Sequence, residues 1–439
     1  MTQLIKRHVG LIIMLIIAIV FPVCLSNQAK LNMRIIVTGI AIDKCEEGYE
    51  VTAQIVKTTS NTESPGVGAE VDYISDKGKT ISFALANLMY KSGKVSAFSH
   101  TNFIILGDTI LEEDVTICLD IFMRDILVKN SALILFSKNK GSDEIKKTKN
   151  MELSVGLGLQ KVFSFKQEDC DGLMMTVLDF INESISYGKT SVVGVLELTN
   201  DSAATSSDSG DNSKNDSSSS SGSEESGSNE QGNSGSNSSS GSSSTSGGSN
   251  SSSSENDKNS KIYFKNNTPL YFFVNGKIAY KITNNEEMIS YLLFYPKTKK
   301  CYLEIDDIEC ESLQNSKVSV NIKDKKVSKK IRFENNIPCL DLTLTITNCE
   351  INEIISDGKA KVITPEEYES IKKSLKTKIT KTTSTIFDNA KKSNADIFNA
   401  YKIAYKYNYN QLNKYYNSEN NFLQNLKLNV EIIVKNLDS

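Results

Sequence analysis

Pro269-Leu-Tyr-Phe-Phe-Val-Asn-Gly-Lys-Ile-Ala-Tyr280 reads as two strands joined at Asn275-Gly276. Asn-Gly between apolar and aromatic runs is a strong hairpin signal, because both residues tolerate positive φ. Upstream, Ser191-Val-Val-Gly-Val-Leu-Glu-Leu198 is a further strand, and residues 200–260 between them are almost wholly Ser, Gly, Asn, Asp and Glu. That segment has almost no apolar surface to bury, so it is expected to be disordered. A strand on each side makes it an expanded loop within one sheet, and closure entropy grows slowly enough with length for this to cost little. A linker between two independent domains is the competing view.

Outward from the hairpin, strands are interspersed with single helices. Arg34 to Ile42 and Tyr49 to Val56 form a strand pair about Glu47-Gly48. Ile81, Ala84, Leu85, Leu88 and Met89 follow helical spacing. Asn102 to Leu106 is a short strand, and Thr109 with Glu112 has the capping-box pattern of a helix carrying Leu111, Val115, Leu119, Phe122 and Ile126. Ser131 to Phe136 is a strand and Gly172 to Ile185 a helix. Strands are also expected at Cys301–Ile305, Lys317–Ile322 and Leu340–Thr347. Thr364-Pro-Glu-Glu367 starts a helix whose stripe is Tyr368, Ile371, Leu375 and Ile379. Leu426 to Val434 alternates as a half-buried strand. This grammar predicts an α+β fold.

A chain of 439 residues suits two or three domains. Its formal charge is −3, yet residues 201–260 hold nine Asp/Glu and only two Lys. The remaining 48 basic and 44 acidic residues make no nucleic-acid footprint, and no basic cluster is interleaved with aromatics. At the amino end Lys6 and Arg7 precede Val9 to Leu25, which is apolar apart from the neutral breaks Gly10 and Pro22. The run is at the lower limit for a membrane span and slightly long for a cleavable signal. Positive charge before it keeps the amino end inside and sends the body out.

Of the eight cysteines, Cys24 sits at the outer end of the apolar run. The others are spread widely with no C-x-x-C, so zinc and redox pairs have no support. Free thiols packed as small apolar residues are the expectation. Bridges Cys301–Cys310 and Cys339–Cys349 are the alternatives.

Catalytic signals are thin. His100 stands alone in Ser99-His-Thr-Asn102 and reads as a strand-edge histidine making a structural hydrogen bond. Ser370-Ile-Lys-Lys373 and Ser137-Lys-Asn-Lys140 match the S-x-x-K nucleophile pattern, which recurs by chance in a chain rich in Ser and Lys. Gly156-Leu-Gly158 lacks the rest of a dinucleotide fingerprint and reads as loop. Asp120, Asp125, Asp306 and Asp307 read as solvated faces rather than a dense cation loop. No catalytic residue, cofactor or metal is therefore expected. Tyr401, Tyr405, Tyr407, Tyr409, Tyr415, Tyr416 and Phe422 read as packing of a late helix, with partner contact as the alternative.

The order of segments resembles the Ger(x)C family of spore germination proteins. Thr38-Gly-Ile-Ala-Ile-Asp43 followed by Tyr49-Glu-Val-Thr-Ala-Gln-Ile55 looks like the family's opening hairpin. Ser75 to Ala84 and Phe98 to Gly107 look like its next segments, the latter with its His before a strand. Leu119-Asp-Ile-Phe-Met-Arg-Asp125 is similar to its L-D-x-x-x-R-D helix, and Ala132 to Phe136 to the strand after it. Val274 to Tyr280, Asn394-Ala-Asp-Ile-Phe398 and the closing Val430 to Val434 strand are similar too. The resemblance implies three mixed α/β modules in tandem after an N-terminal membrane anchor, in a nutrient-sensing complex with two integral membrane subunits of the spore inner membrane. After an anchor at 1–26, the three modules would be an N-terminal domain at 30–189, a middle domain at 190–295 carrying the insertion 200–260, and a C-terminal domain at 296–439. It also implies a lipid anchor, for which Cys24 is the candidate. The family has a small residue before that Cys and a Trp-Asp-type start after it, whereas Val23 precedes Cys24 and Leu25-Ser26-Asn27 follow. A retained amino-terminal helix is the reading taken here, and lipidation at Cys24 the alternative. An exported envelope protein of another kind, such as a Ser–Lys hydrolase, is the second function class.

Overall fold

The computed structural model describes Met14, 34–56, 71–124, 128–148, 157–200, 262–264, 268–306, 308–356 and 359–438. The apolar run at 9–25, Cys24 and the expected disorder at 201–260 lie outside the described residues, apart from Met14. Among the described residues no helix is long and apolar enough to cross a membrane.

The chain is α+β, built on two sheets. In its first half the elements are β1 (Arg34–Cys45), β2 (Gly48–Val56), β3 (Val71–Gly78), α1 (Ile81–Ser92), β4 (Val95–Ala97), β5 (Phe103–Leu106), α2 (Val115–Arg124), β6 (Leu133–Ser137), α3 (Gly141–Lys147), α4 (Leu157–Glu168), α5 (Val177–Ile185) and β7 (Thr190–Leu196). A ribbon of β8 (Leu198–Asn200) and β9 (Ile262–Phe264) follows, then β10 (Leu270–Val274) and β11 (Lys277–Ile282). The first sheet runs β11-β10-β7-β6-β5-β1-β2-β3, with β4 beside β1. Its centre, β1, β5, β6 and β7, is parallel, and β5, β6 and β7 are buried along their whole length. Parallel strands covered on both faces must be apolar throughout, which explains Phe103-Ile-Ile-Leu106 and Leu133-Ile-Leu-Phe136. Antiparallel hairpins close both edges: β1–β2–β3 on one side, β7–β10–β11 on the other. Asn275 and Gly276 both have positive φ, as the hairpin turn requires.

The second half contains α6 (Asn285–Leu293), β12 (Cys301–Ile305), β13 (Lys317–Glu334), β14 (Ile337–Ser356), β15 (Lys359–Ala360), α7 (Pro365–Lys392), α8 (Ala400–Tyr407), α9 (Tyr409–Tyr415), α10 (Glu419–Asn425), β16 (Lys427–Val434) and β17 (Leu437–Asp438). The second sheet is β12-β13-β14-β15, with β16 and β17 parallel to β14. Its spine is the β13–β14 hairpin, turned at Asn335-Asn336, both at positive φ. α7 begins at the expected start, and there a capping box forms: Thr364 Oγ1 accepts from Glu367 N–H, and Glu367 accepts from Thr364 N–H. It buries Ile371, Leu375 and Ile379. One apolar cluster runs through both sheets, from Val37 to Leu437.

Several expectations need correction. The Thr109/Glu112 capping box does not form: Thr109 Oγ1 accepts from Lys44 N–H instead, and α2 begins only at Val115. Residues 172–176 are not helical, and the helix starts at Val177 behind its Thr176 cap. The strands expected at 317–322 and 340–347 are parts of far longer ones. Gly158 lies in the first turn of α4, not in a loop, while Gly156 is outside the described residues. The Tyr-rich segment is three short helices rather than one. The free-thiol expectation fails for Cys170 and Cys301, which form a disulfide with Cα atoms 5.1 Å apart. Cys310, Cys339 and Cys349 are free, so neither alternative bridge forms. A turn after α4 and the start of β12 are distant in sequence, and no spacing rule brings them together.

Candidate functional site

Ser370 and Lys373 do not form a nucleophile–base pair. Ser370 Oγ donates back to Glu366 O at 3.1 Å on the surface of α7, and Lys373 Nζ pairs with Glu309 at 2.6 Å. In the other S-x-x-K match, Ser137 Oγ accepts from Asn139 N–H, and Lys140 Nζ pairs with Glu50 at 2.6 Å. His100 is exposed on a single 3₁₀ turn ahead of β5. Asp120 pairs with Arg124 one helical turn away, and Asp306 lies 3.8 Å from Lys378. Asp125 and Asp307 are outside the described residues. Among the described residues no three of His, Cys, Asp and Glu converge as metal ligands.

The buried charges are elsewhere. Asp43, at the end of the Thr38 to Asp43 stretch, is 0% exposed and accepts from Gly141 N–H at 2.6 Å and Ser142 N–H at 2.8 Å. It thereby satisfies orphan donors at the start of α3. Burial raises its pKa, and these two hydrogen bonds oppose the rise. Gly107 must be glycine here: a β-carbon would lie 1.9 Å from Asp43 Oδ1. The Asp43 and Gly107 ends of two family-like segments thus serve one internal cap.

A second group lies where the first sheet meets the second. A cavity of about 220 Å³ opens between α5, β7, α6, β13 and residues 396–403. Asp396, in Asn394-Ala-Asp-Ile-Phe398, is 3% exposed. Its carboxylate accepts from Ala400 N–H at 2.7 Å and Tyr401 N–H at 2.8 Å, capping α8, and its own N–H donates to Thr190 Oγ1 at 3.1 Å. Asn399 takes the left-handed conformation that turns the chain into that helix. Phe398 packs edge-on against Phe294 and beside Tyr291. Across the cavity Lys329 Nζ sits 5.3 Å from the centre of the Phe398 ring. Glu183 faces the cavity from α5.

Burial dominates the electrostatics. It pushes Asp396 up to about 6 against two backbone hydrogen bonds and the attraction of Lys329. It pushes Glu183 up to about 7 against Lys402. It pulls Lys329 down to about 8, opposed by Asp396 and Glu183. Lys325 is pulled down to about 8 as well, and donates to the Leu293 and Tyr295 carbonyls at the end of α6.

Residue-by-residue motif reading missed Lys329 and Glu183, although a signal existed. Val327, Ile331 and Phe333 share one face of β13, and the period of two places Lys325 and Lys329 on that same face. Glu183 lies three residues after buried Phe180, hence on the inner side of α5. Of the Tyr-rich stretch, Tyr416 is buried and donates to Asn336 O at 2.9 Å, while Tyr401 and Phe422 pack edge-on. Tyr405 stacks on Tyr187 at 3.5 Å between centres, and Tyr407, Tyr409 and Tyr415 stay exposed.

Two family models match the chain in order. Residues 27–198 match the spore germination protein N-terminal domain, and residues 270–436 match the spore germination B3/GerAC-like C-terminal domain. The chain belongs to the Ger(x)C family of spore germination proteins. In this Ger(x)C protein the unmatched interval contains the Ser-rich insertion, and the junction cavity is lined from both matched regions. Among curated proteins none matches. A solved structure described as the crystal structure of the GerBC protein is similar, with 11% identity and a TM-score of 0.47. That match covers 91% of this chain and 97% of the other.

Proposed function

We propose that this Ger(x)C protein is the non-catalytic, extracytoplasmic subunit of a nutrient germinant receptor, tethered by its amino end and complexed with integral membrane subunits in the spore inner membrane. The observation that carries this reading is the ordered match to both germination domains over 27–198 and 270–436. Three features support its details. The basic start and apolar run at 6–25 fit a tether with the body outside. The Cys170–Cys301 disulfide fits an oxidising compartment. Neither S-x-x-K match assembles a nucleophile with its base, because each lysine is held by a glutamate. The test is affinity purification of the tagged chain from detergent-solubilised membranes of dormant spores, with mass spectrometry of what comes with it. Integral membrane proteins recovered in constant ratio to the chain are the expected result. Recovery of the chain alone, from a preparation in which known membrane complexes stay intact, would overturn the assignment.

A further inference from the structure

We infer that the outer face of α1, with β4 and the start of β1, docks on the bilayer surface, its aromatic side chains entering the interface and its cations meeting anionic lipid headgroups. α1 buries Ile81, Ala84, Leu85 and Leu88 against the body, yet its outer side also carries rings. Phe83 is 66% and Tyr90 83% exposed, and their spacing of two helical turns, roughly 10 Å, sets them on one face. Gly93, in the left-handed conformation, ends the helix and turns the chain into β4, where Val95, 55% exposed, pairs with Arg34. A stripe of apolar side chains left in water is not explained by the core, and rings of this kind are favoured at the headgroup level of a bilayer.

The charge around this stripe has the sign that anionic headgroups require. From Lys77 to Gly107 the chain has no Asp or Glu, and Lys77, Lys79, Lys91 and Lys94 are all exposed. In sequence these lysines are too thinly spread to form a cluster; folding adds exposed Arg34 beside Val95. Lys91 is shared with Asp76 at 3.7 Å, and Lys79 lies against Gly48, next to exposed Glu47. The excess of positive charge therefore falls at the Lys94 and Arg34 end. The tether reaches the same end, a step that rests on the proposed membrane insertion of Val9 to Leu25. Nine residue steps separate Leu25 from Arg34, at most roughly 30 Å of extended chain. Arg34, Lys94 and Val95 are thus held near the bilayer whatever path the connection takes, and cations brought to its surface attract anionic headgroups. A second copy of the chain presenting the same face would set cation against cation, so a lipid surface is the better complement.

The experiment uses the full chain reconstituted in vesicles that hold no other protein. The chain has no Trp, so Tyr90→Trp and, separately, Phe83→Trp each place a single reporter on the stripe, at positions exposed enough to accept it. Co-sedimentation with the vesicles reports the tether, and quenching of the tryptophan by lipids brominated in their acyl chains reports the face. In phosphatidylcholine vesicles with about one-third phosphatidylglycerol, both reporters should emit to the blue of an exposed tryptophan and be quenched. Quenching should fall about twofold or more in pure phosphatidylcholine, or in about 1 M salt, where the screening length is about 3 Å. Arg34→Glu/Lys94→Glu should cause the same fall with co-sedimentation unchanged. Co-sedimentation with neither tryptophan quenched would overturn the inference while the tether stands, and would point to a protein partner for the stripe. Quenching indifferent to lipid charge, to salt and to the charge reversal would overturn it too. A chain that does not co-sediment would overturn the tether, and the inference with it.

Discussion

Reducing the Cys170–Cys301 bond replaces no residue and opens a closure across 131 residues of sequence. In the chain-entropy description a cross-link spanning that separation removes about 5 kcal/mol of denatured-state entropy, at the top of the range found for native disulfides. Both sulfurs belong to buried residues, with Cys170 at 1% and Cys301 at 0% exposure. Reduction therefore exposes little new surface, and most of the effect falls on the unfolded chain. For a body of this size the expected loss corresponds to a fall of roughly 5–10 °C in thermal midpoint. The assay is scanning calorimetry of the full chain with and without a phosphine reductant, alongside the Cys170→Ala/Cys301→Ala double variant. The variant should melt at or below the reduced wild type and ignore the reductant. An identical midpoint with and without reductant, together with alkylation of both thiols on denaturing without reduction, would refute the bridge.

Three further outcomes follow from the same structure. Glu183 has its folded pKa raised from 4.5 to about 7, so the folded state holds the proton more tightly than the unfolded chain. Its contribution is present below 4.5 and is lost as pH rises through 7, so Glu183→Gln should gain midpoint relative to wild type across that window; a difference that stays flat with pH counts against the buried position. Asp43→Ala strands the Gly141 and Ser142 amides and should cost about 2–4 kcal/mol in denaturant unfolding, a loss under about 0.5 kcal/mol being inconsistent with the internal cap. Joining Thr199 to Lys261 should leave the thermal midpoint within about 2 °C of wild type, because β7 and β10 are paired neighbours and the deleted segment has almost no apolar surface to bury; collapse of folding would show that the insertion is structural.

Much of the architecture was legible because its signals are local. Thr364-Pro-Glu-Glu367 carries cap, first-turn proline and reciprocal glutamate in four residues, and α7 starts there. Asn275-Gly276 fixes its turn in two. Elements whose signal is diluted or distant were harder to read. Lysines alternating with Val327 and Ile331 blur the hydrophobic pattern of β13, so only the apolar ends of the long hairpin stood out. Thr109 has the chemistry of a helix cap, but a β-strand amide at Lys44 competes for its oxygen and wins. We propose that the chain divides into modules at 189/190 and 295/296. The first boundary is supported by the thinness of the first sheet between β6 and β7, where only Phe136–Val195 and Ser137–Leu196 pair.

The candidate site was half legible. Asn394-Ala-Asp-Ile-Phe398 stood out as a motif, but nothing in five residues says that Asp396 reaches Thr190 across 206 positions. Only tertiary packing brings a strand lysine, a helix glutamate and that turn to one cavity. Residues from both matched halves line it, so the cavity exists only because the two halves pack together, and no single segment of the sequence could announce it.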